Sequence, residues 1–403
     1  MNANLSNAVE FSEFHPFSPE YLQDPVPLYP ELLRASPGLI LPEGVPSAYV
    51  ATYAHCIAVL QDPRRFSSVK PKGLPGMERL DIFNSQPVMN YSDPPQHDRL
   101  RKVLAPVFAP RRVGEMAAST AQVVRELLAT IEPGQSIDAV HLSHAFSKRV
   151  LLNNFLAVAE QDEHIFLDFI KSIYLLDKMR PGDPKPAEFL QAWEKCGEYC
   201  QLMVERAKRD KTQDIFGLIV EAQAAGALSD TEMLTMILLL FIGGLPTTAA
   251  MGSAALYRLA ENPAVMQRVR QDPAVARRHC EESLRLDPPV LSAMRFATED
   301  VQMGENVIKK GMPVYVMLAI ACRDPAQFPE PDRYDIGRKN TQHLAFGYGI
   351  HNCIGNTIAR ASVPLLLQAF VEKFPELRVD GARRRTFKVT ARSRHYDSLP
   401  LLT

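Results

Sequence analysis

The sequence predicts a mainly α-helical protein with a minor β region near both ends of the chain. Apolar residues recur at helical spacing over most of the 403 residues. Only two short stretches, 47–51 and 314–317, read as strands. One stretch, 229–261, is an unusually long helix with no clean polar face, which a helix shows when it is buried nearly all round.

The elements follow in chain order. Residues 1–14 lack a basic region followed by an apolar core, so no signal peptide is expected there. Proline turns alternate with short apolar stretches to about residue 60, and 68–92 reads as a long irregular loop of the kind that carries function. Helices are expected at 95–108, 112–131, 139–158, 160–177, 187–210, 229–261, 263–271, 274–286 and 356–373. Ser229 and Glu232 form a capping box at the start of the long helix, and Pro263 ends it. Its apolar run, 233–245, is too short to span a bilayer. No repeat, low-complexity segment or Gly/Ser linker interrupts the chain, so a single domain over 1–403 is expected.

Composition narrows the function classes. A content of 46% hydrophobic and 23% charged residues suits a folded core and argues against disorder. A net charge of -1 supplies no global attraction to nucleic acid or an anionic membrane, and neither is expected as a partner. The six cysteines follow no disulfide framework, and no CxxC or CxxCH spacing is present, which suits a reducing cytosol and a cytoplasmic location. Cys196 and Cys200, four apart on a helix, are expected to face each other as thiols, with a metal site the remoter reading.

The chemistry concentrates in 343–360, HLAFGYGIHNCIGNTIAR. Gly347, Gly349 and Gly355 let the backbone approach something flat and bulky. Cys353 lies just ahead of a helix N-terminus, where backbone N–H groups favour a thiolate. A phosphate-binding loop is the rival reading, but its spacing needs glycine where Asn352 stands.

The pattern F-G-x-G-x-H-x-C-x-G resembles the haem-binding signature of the cytochrome P-450 family, soluble bacterial class, with every fixed position present. The resemblance implies the prism-shaped, mainly α fold of that family and haem b with Cys353 as the axial iron ligand. It implies that Phe346 packs near the sulfur, that Gly347 and Gly355 belong to the cofactor loop, and that His351 reaches a haem propionate. Thiolate ligation pushes electron density onto iron and favours O–O cleavage.

Further segments carry the same resemblance. Glu282 and Arg285 would alone be one more helix-surface ion pair. With Pro331-Asp332-Arg333-Tyr334 they resemble the family's ExxR and Pro-x-Arg-Phe motifs, implying a structural network of Glu282, Arg285 and Arg333. Residues 93–101 resemble the family's D-P-P-x-H-x-x-x-R, which implies that His97 and Arg101 hold propionates. Arg295 matches another propionate arginine, and buried carboxylates do require paired cations. Residues 321–325 resemble the family's A-N-R-D-P turn, with Cys322 in place of Asn.

One departure stands out. The long helix reads Gly243-Gly244-Leu245-Pro246-Thr247-Thr248, with Pro246 where the family carries an acid. The resemblance implies a catalytic group of Gly243, Gly244, Pro246 and Thr247, with Thr247 assisting dioxygen protonation. Proline removes an N–H and crowds the carbonyl of Ile242, so the helix is expected to kink or open there; the family helix is distorted at this point in any case, and Pro246 then fixes that distortion. Without the carboxylate, water or another segment must relay protons, or peroxide is the oxidant.

The implied substrate is small and hydrophobic. Candidate pocket residues are Ile82, Phe83, Val88, Met89, Phe166, Leu175, Leu240, Phe241, Leu291 and Met294, a set that any core would also offer. The stretch after Tyr334 is faintly similar to bacterial members that oxidise, and O-demethylate, small aromatic acids. Residues 392–395 read first as a solvated charge run and second as a cation for a substrate carboxylate. With no dinucleotide fingerprint, electrons must come from another protein, by resemblance a ferredoxin and its reductase. Arg101, Lys102, Arg111 and Arg112 are candidates for the docking face. A haem-thiolate isomerase, dehydratase or peroxide-driven catalyst, and a haem sensor, stay as alternatives.

Overall fold

The structure is a computed structural model that describes residues 18–35, 38–42, 45–71, 81–179, 182–212, 214–390 and 392–403. The N-terminal stretch 1–14 and residues 72–80 of the irregular loop lie outside the described residues. The chain divides into two compact units, one drawn from residues 1–68, 284–352 and 387–395, the other from 69–283, 353–386 and 396–403.

The first unit is built on a five-stranded sheet. Its strands lie in the order Leu39–Ile40, Ala48–Val50, Pro313–Val316, Ala293–Ala297, Phe66–Ser67. Ala48–Val50 runs parallel to Pro313–Val316, and the other pairings are antiparallel. Side chains alternate between the faces, as strand geometry requires. Val50, Val314 and Val316 join a core with Phe66, Ile308 and Leu344. Tyr49 and Tyr315, paired in register, stack on the opposite face at 5.0 Å among Tyr21, Tyr29 and Met317. Both faces are therefore covered, which explains strands that read as continuous apolar runs. A helix, Tyr53–Leu60, capped by the Thr52 hydroxyl, lies where the sequence suggested proline turns alternating with short apolar stretches.

The second unit is helical. Helices Ala187–Asp210, Pro263–Gln271, Pro273–Leu286 and Asn356–Lys373 fall on or within a residue of their expected positions. Four expected helices change along their length: 95–108 is the helix Gln96–Leu104 followed by a 3-10 turn, Ala105–Phe108, and 160–177 opens with a 3-10 turn, Glu160–Asp162, before the helix Glu163–Leu176. The 112–131 stretch divides into Pro110–Glu115 and Ala117–Ala129, and 139–158 becomes the helix Ala139–Lys148 followed by a wider π turn, Arg149–Phe155. An unanticipated helix, Ile215–Ala224, starts where Asp214 accepts the N–H groups of Phe216 and Gly217. The chain's last residues, Pro400–Leu402, form the centre of a small antiparallel sheet with Ser136–Asp138 and Arg378–Val379.

The long helix, Asp230–Glu261, packs against Ala139–Lys148 and Asn356–Lys373. Its capping box is formed: Ser229 Oγ accepts from the Glu232 N–H at 3.2 Å, and the Glu232 carboxylate accepts from the Ser229 N–H at 3.0 Å. Arg99 Nη2 donates to the same carboxylate at 2.5 Å. The helix is long and apolar enough to cross a membrane, yet most of its apolar stretch is buried within the protein. It does not open at Pro246; it runs through as one element. Two hydroxyls bind carbonyls of this turn, Thr247 Oγ1 that of Gly243 at 2.6 Å and Ser147 Oγ that of Leu245 at 2.8 Å.

Candidate functional site

The cysteine loop begins in the first unit. Gly347 and Gly349 have φ of 68° and 71°, the left-handed region that favours glycine. A Cβ on Gly349 would also fall 2.3 Å from the Leu60 carbonyl oxygen, so no other residue fits. Asn352 Nδ2 donates to the carbonyls of Phe346 and Gly347, both at 3.3 Å, folding the loop back on itself. His351 Nε2 lies 2.9 Å from Ser68 Oγ.

Behind this loop a buried arginine sets the backbone. Arg285 Nη1 donates to the carbonyls of Cys322 at 3.0 Å and Pro331 at 2.7 Å, and Nη2 to that of Arg333 at 3.1 Å. Cys322 in turn accepts the Leu344 N–H on its sulfur at 3.2 Å, tying the 321–325 turn to the start of the cysteine loop. The expected network needs one correction: Arg333 enters it through its carbonyl. Its guanidinium is solvent-exposed and pairs with Glu330 at 2.8 Å. Arg323, buried, takes the inner role, reaching Asp332 at 2.5 Å and the Leu286 carbonyl at 2.8 Å. Glu282 is buried one turn before Arg285 on the Pro273–Leu286 helix. Arg295 is buried on its strand, with Nη1 donating to the Met294 carbonyl at 2.8 Å.

In the second unit Cys353 is exposed, three residues before the Asn356–Lys373 helix. The backbone N–H groups of Gly355 and Asn356 and the Arg101 and Arg360 cations lie near its sulfur. These favour the thiolate, while the crowding of protein around the sulfur, the largest influence, pushes the thiol upward. A Cβ on Gly355 would stand 3.9 Å from the sulfur, so glycine keeps that flank bare. Arg101 is itself partly desolvated, which lowers its pKa against the opposing pull of Cys353. His97, one turn earlier on the Gln96–Leu104 helix, is buried with Nδ1 2.9 Å from Asp98 Oδ1.

The same unit contains a window in the long helix. Residues on both sides are buried, but Gly243 is exposed, and Ile242, Gly244, Pro246 and Thr247 are half-buried. A Cβ on Gly243 would meet nothing within 4 Å, whereas one on Gly244 would press on Leu151 Cδ1 at 3.1 Å. The Thr247 proton is donated to the Gly243 carbonyl, so its half-buried hydroxyl oxygen is left to accept a hydrogen bond. Pro246 has no N–H for the Ile242 carbonyl.

Several expected pocket residues belong to cores instead. Phe166 and Phe241 stack with ring centroids 3.7 Å apart, and Phe83, Val88 and Met89 are buried in the same cluster. Leu291 and Met294 pack in the tyrosine-rich core of the first unit. Leu175 lines a surface groove of about 370 Å³ with a charged rim of His164, Asp168, Lys171, Glu188 and Lys195. Nor is Arg394 part of a solvated charge run: it lies 3.3 Å from Asp24, 3.4 Å from Asp287 and over the Phe387 ring. Cys196 and Cys200 do face each other, both buried.

The residues fit a haem better than a free metal ion. Among the described residues no group of three or more His, Cys, Asp and Glu is arranged to hold a metal. One open thiol, with backbone donors near its sulfur and a bare flank, suits the single axial bond of a haem iron. In the second unit His97 and Arg101, one turn apart on the Gln96–Leu104 helix, are the residue types that pair with carboxylates.

Comparisons agree with this chemistry. The family model for Cytochrome P450 matches residues 40–387. Cytochrome p450 CYP199A2 of Rhodopseudomonas palustris is 32% identical over 396 residues, covering 96% of this chain and 92% of that protein. Cytochrome P450 monooxygenase PikC of Streptomyces venezuelae is 31% identical over 368 residues, covering 90% and 86%. The structure of Mycobacterium smegmatis CYP164A2 in its ligand-free state superposes with a TM-score of 0.84 at 25% identity, covering 96% of this chain and 98% of that one.

Proposed function

The chain belongs to the cytochrome P450 family of haem-thiolate monooxygenases, and from that premise we propose that it inserts one oxygen atom of O₂ into a C–H bond of a small hydrophobic substrate. The observation that carries this reading is the exposed Cys353 thiol just ahead of a helix N-terminus, with the Gly355 and Asn356 backbone and the Arg101 and Arg360 cations near its sulfur. When bound, haem b would supply the iron at which dioxygen is activated, and the Cys353 thiolate would hold that iron. By the family resemblance His97, Arg101, Arg295 and His351 would hold the propionates, Phe346, Gly347 and Gly355 would shape the cysteine loop, and Glu282 and Arg285 would hold the surrounding backbone.

In this reading Gly243 and Gly244 give the ligand room beside the long helix. Thr247 accepts a hydrogen bond there, because its own proton is committed to Gly243. Water held by the Thr247 oxygen and the Ile242 carbonyl takes the place of the missing carboxylate in moving protons. The other oxygen atom leaves as water, using two electrons and two protons from outside. We assign the electrons to a ferredoxin and its reductase, and the location to the cytoplasm. Insertion at a methoxy carbon gives O-dealkylation by the same step, and small aromatic acids head the list of substrates to try.

Pro246 favours a second reading, in which peroxide replaces dioxygen and the electron donors or the enzyme is a non-monooxygenase. Titrating the ferric protein with aromatic acids, phenols, terpenoids, fatty acids and steroids tests the substrate class. A saturable low-spin to high-spin shift with an aromatic or other small apolar ligand, followed by NADH-, ferredoxin- and O₂-dependent product, is the expected result. Product with peroxide alone, and none with ferredoxin and O₂, would replace the first reading with the second.

A further inference from the structure

The cysteine loop is tied on its second-unit side by a chain of polar groups that no family motif quoted above includes. Arg360 Nε and Nη2 donate to Glu281 Oε1 and Oε2, each at 2.8 Å, a two-pronged pairing. Arg360 Nη1 donates to Asn356 Oδ1 at 3.0 Å. Asn356 Nδ2 then donates to the Cys353 carbonyl, and the Asn356 N–H donates to the same carbonyl at 3.4 Å. The chain therefore runs from a carboxylate on Pro273–Leu286, through a guanidinium and an amide on Asn356–Lys373, to the Cys353 backbone.

An exposed ion pair contributes little by itself. This one differs in its third prong. The planar guanidinium holds the Asn356 amide by its oxygen, which fixes the direction of its N–H₂ toward the Cys353 carbonyl. Glu281 fixes the guanidinium, with its own side chain only 21% exposed. Thr357 anchors the next turn independently, its hydroxyl donating to the Phe108 carbonyl at 3.0 Å. The Arg360 charge also lies close enough to interact with the Cys353 sulfur.

We propose that Glu281 and Arg360 are positioning residues that orient Asn356 on Cys353 and set the electron-donating strength of its sulfur. The inference rests on Cys353 being the iron ligand. A cation beside a thiolate draws density from it and favours the reduced metal. Glu281 moderates that cation, so the two residues act with opposite sign.

The test is the one-electron ferric/ferrous potential of the haem-loaded protein, measured by spectroelectrochemical titration in the absence of substrate. Arg360→Met is expected to shift the potential downward, Arg360→Lys to return it toward wild type, and Glu281→Gln to shift it upward. Wild-type potentials in Arg360→Met and Glu281→Gln, or shifts of the same sign in both, overturn the proposal. If Arg360→Met fails to load haem, the isosteric Glu281→Gln and charge-conserving Arg360→Lys decide it. A wild-type protein without a thiolate-type ferrous–CO band would overturn the reading of Cys353 itself, and this inference with it; a normal band with unmoved potentials overturns only the positioning role.

Discussion

At the scale of single residues, two departures from the family pattern have opposite consequences. Cys322, in place of asparagine, keeps a polar acceptor: its sulfur takes the Leu344 N–H at 3.2 Å, and the Arg285 guanidinium holds its carbonyl. Burial raises its thiol to about 11, so it stays protonated and inert at neutral pH. Pro246 replaces a carboxylate with nothing that can carry a proton. The motif alone could not show that the helix continues through Pro246 or that Thr247 spends its proton on Gly243, since both depend on where neighbouring hydroxyls point. Pro246→Asp restores the acid, and product formed per NADH is expected to rise if water is a slow relay. An unchanged coupling and rate would remove position 246 from proton supply.

At the scale of elements, the helices were legible because their signals are local. Ser229 and Glu232 announce the long helix, and Pro263 ends it, without reference to the rest of the chain. The interruptions at Met116 and Arg149 were not legible, because apolar periodicity continues through both. The Ile215–Ala224 helix was missed although Asp214 gave a capping signal. The long helix is also held by two titrating groups. Arg99 depresses the Glu232 carboxyl to about 2 from an ordinary 4.5. Burial depresses His279 to about 4 from 6.5, with Nε2 donating to the Ala255 carbonyl at 2.9 Å.

The sign is the same for both groups. The unfolded chain binds the proton first as pH falls, so stability is full above pH 6.5 and is lost in two stages, toward pH 4 through His279 and from 4.5 toward 2 through Glu232. The His279 stage is expected to cost on the order of 2–3 kcal/mol. The Glu232 stage costs about 1–2 kcal/mol after allowing for solvent around the half-exposed Arg99. Thermal melts from pH 8 to 4 on wild type and His279→Gln check the first stage. A wild-type midpoint that does not fall between pH 6.5 and 4 would contradict it.

At the scale of the whole molecule, the sequence carried the fold class and the cofactor loop, and lost the surroundings. Gly347 and Gly349 are named by spacing because the backbone itself demands them. Phe166 and Phe241 could not be told from pocket residues, since an apolar side chain looks the same in a core and in a cavity wall. Glu281, Asn356 and Arg360 lay beside recognised motifs, but side chains from distant parts of the chain meet only in three dimensions. Arg333 shows the reverse: a motif residue whose backbone, not its charge, does the structural work.

Whether Cys353 is the thiolate ligand of a haem is decided by the reduced carbon monoxide spectra of wild type and Cys353→Ala. Wild type is expected to show the thiolate-type Soret band and Cys353→Ala to lose it while circular dichroism stays helical. The same thiolate-type band in Cys353→Ala, or none in wild-type protein fully loaded with haem, would contradict the account.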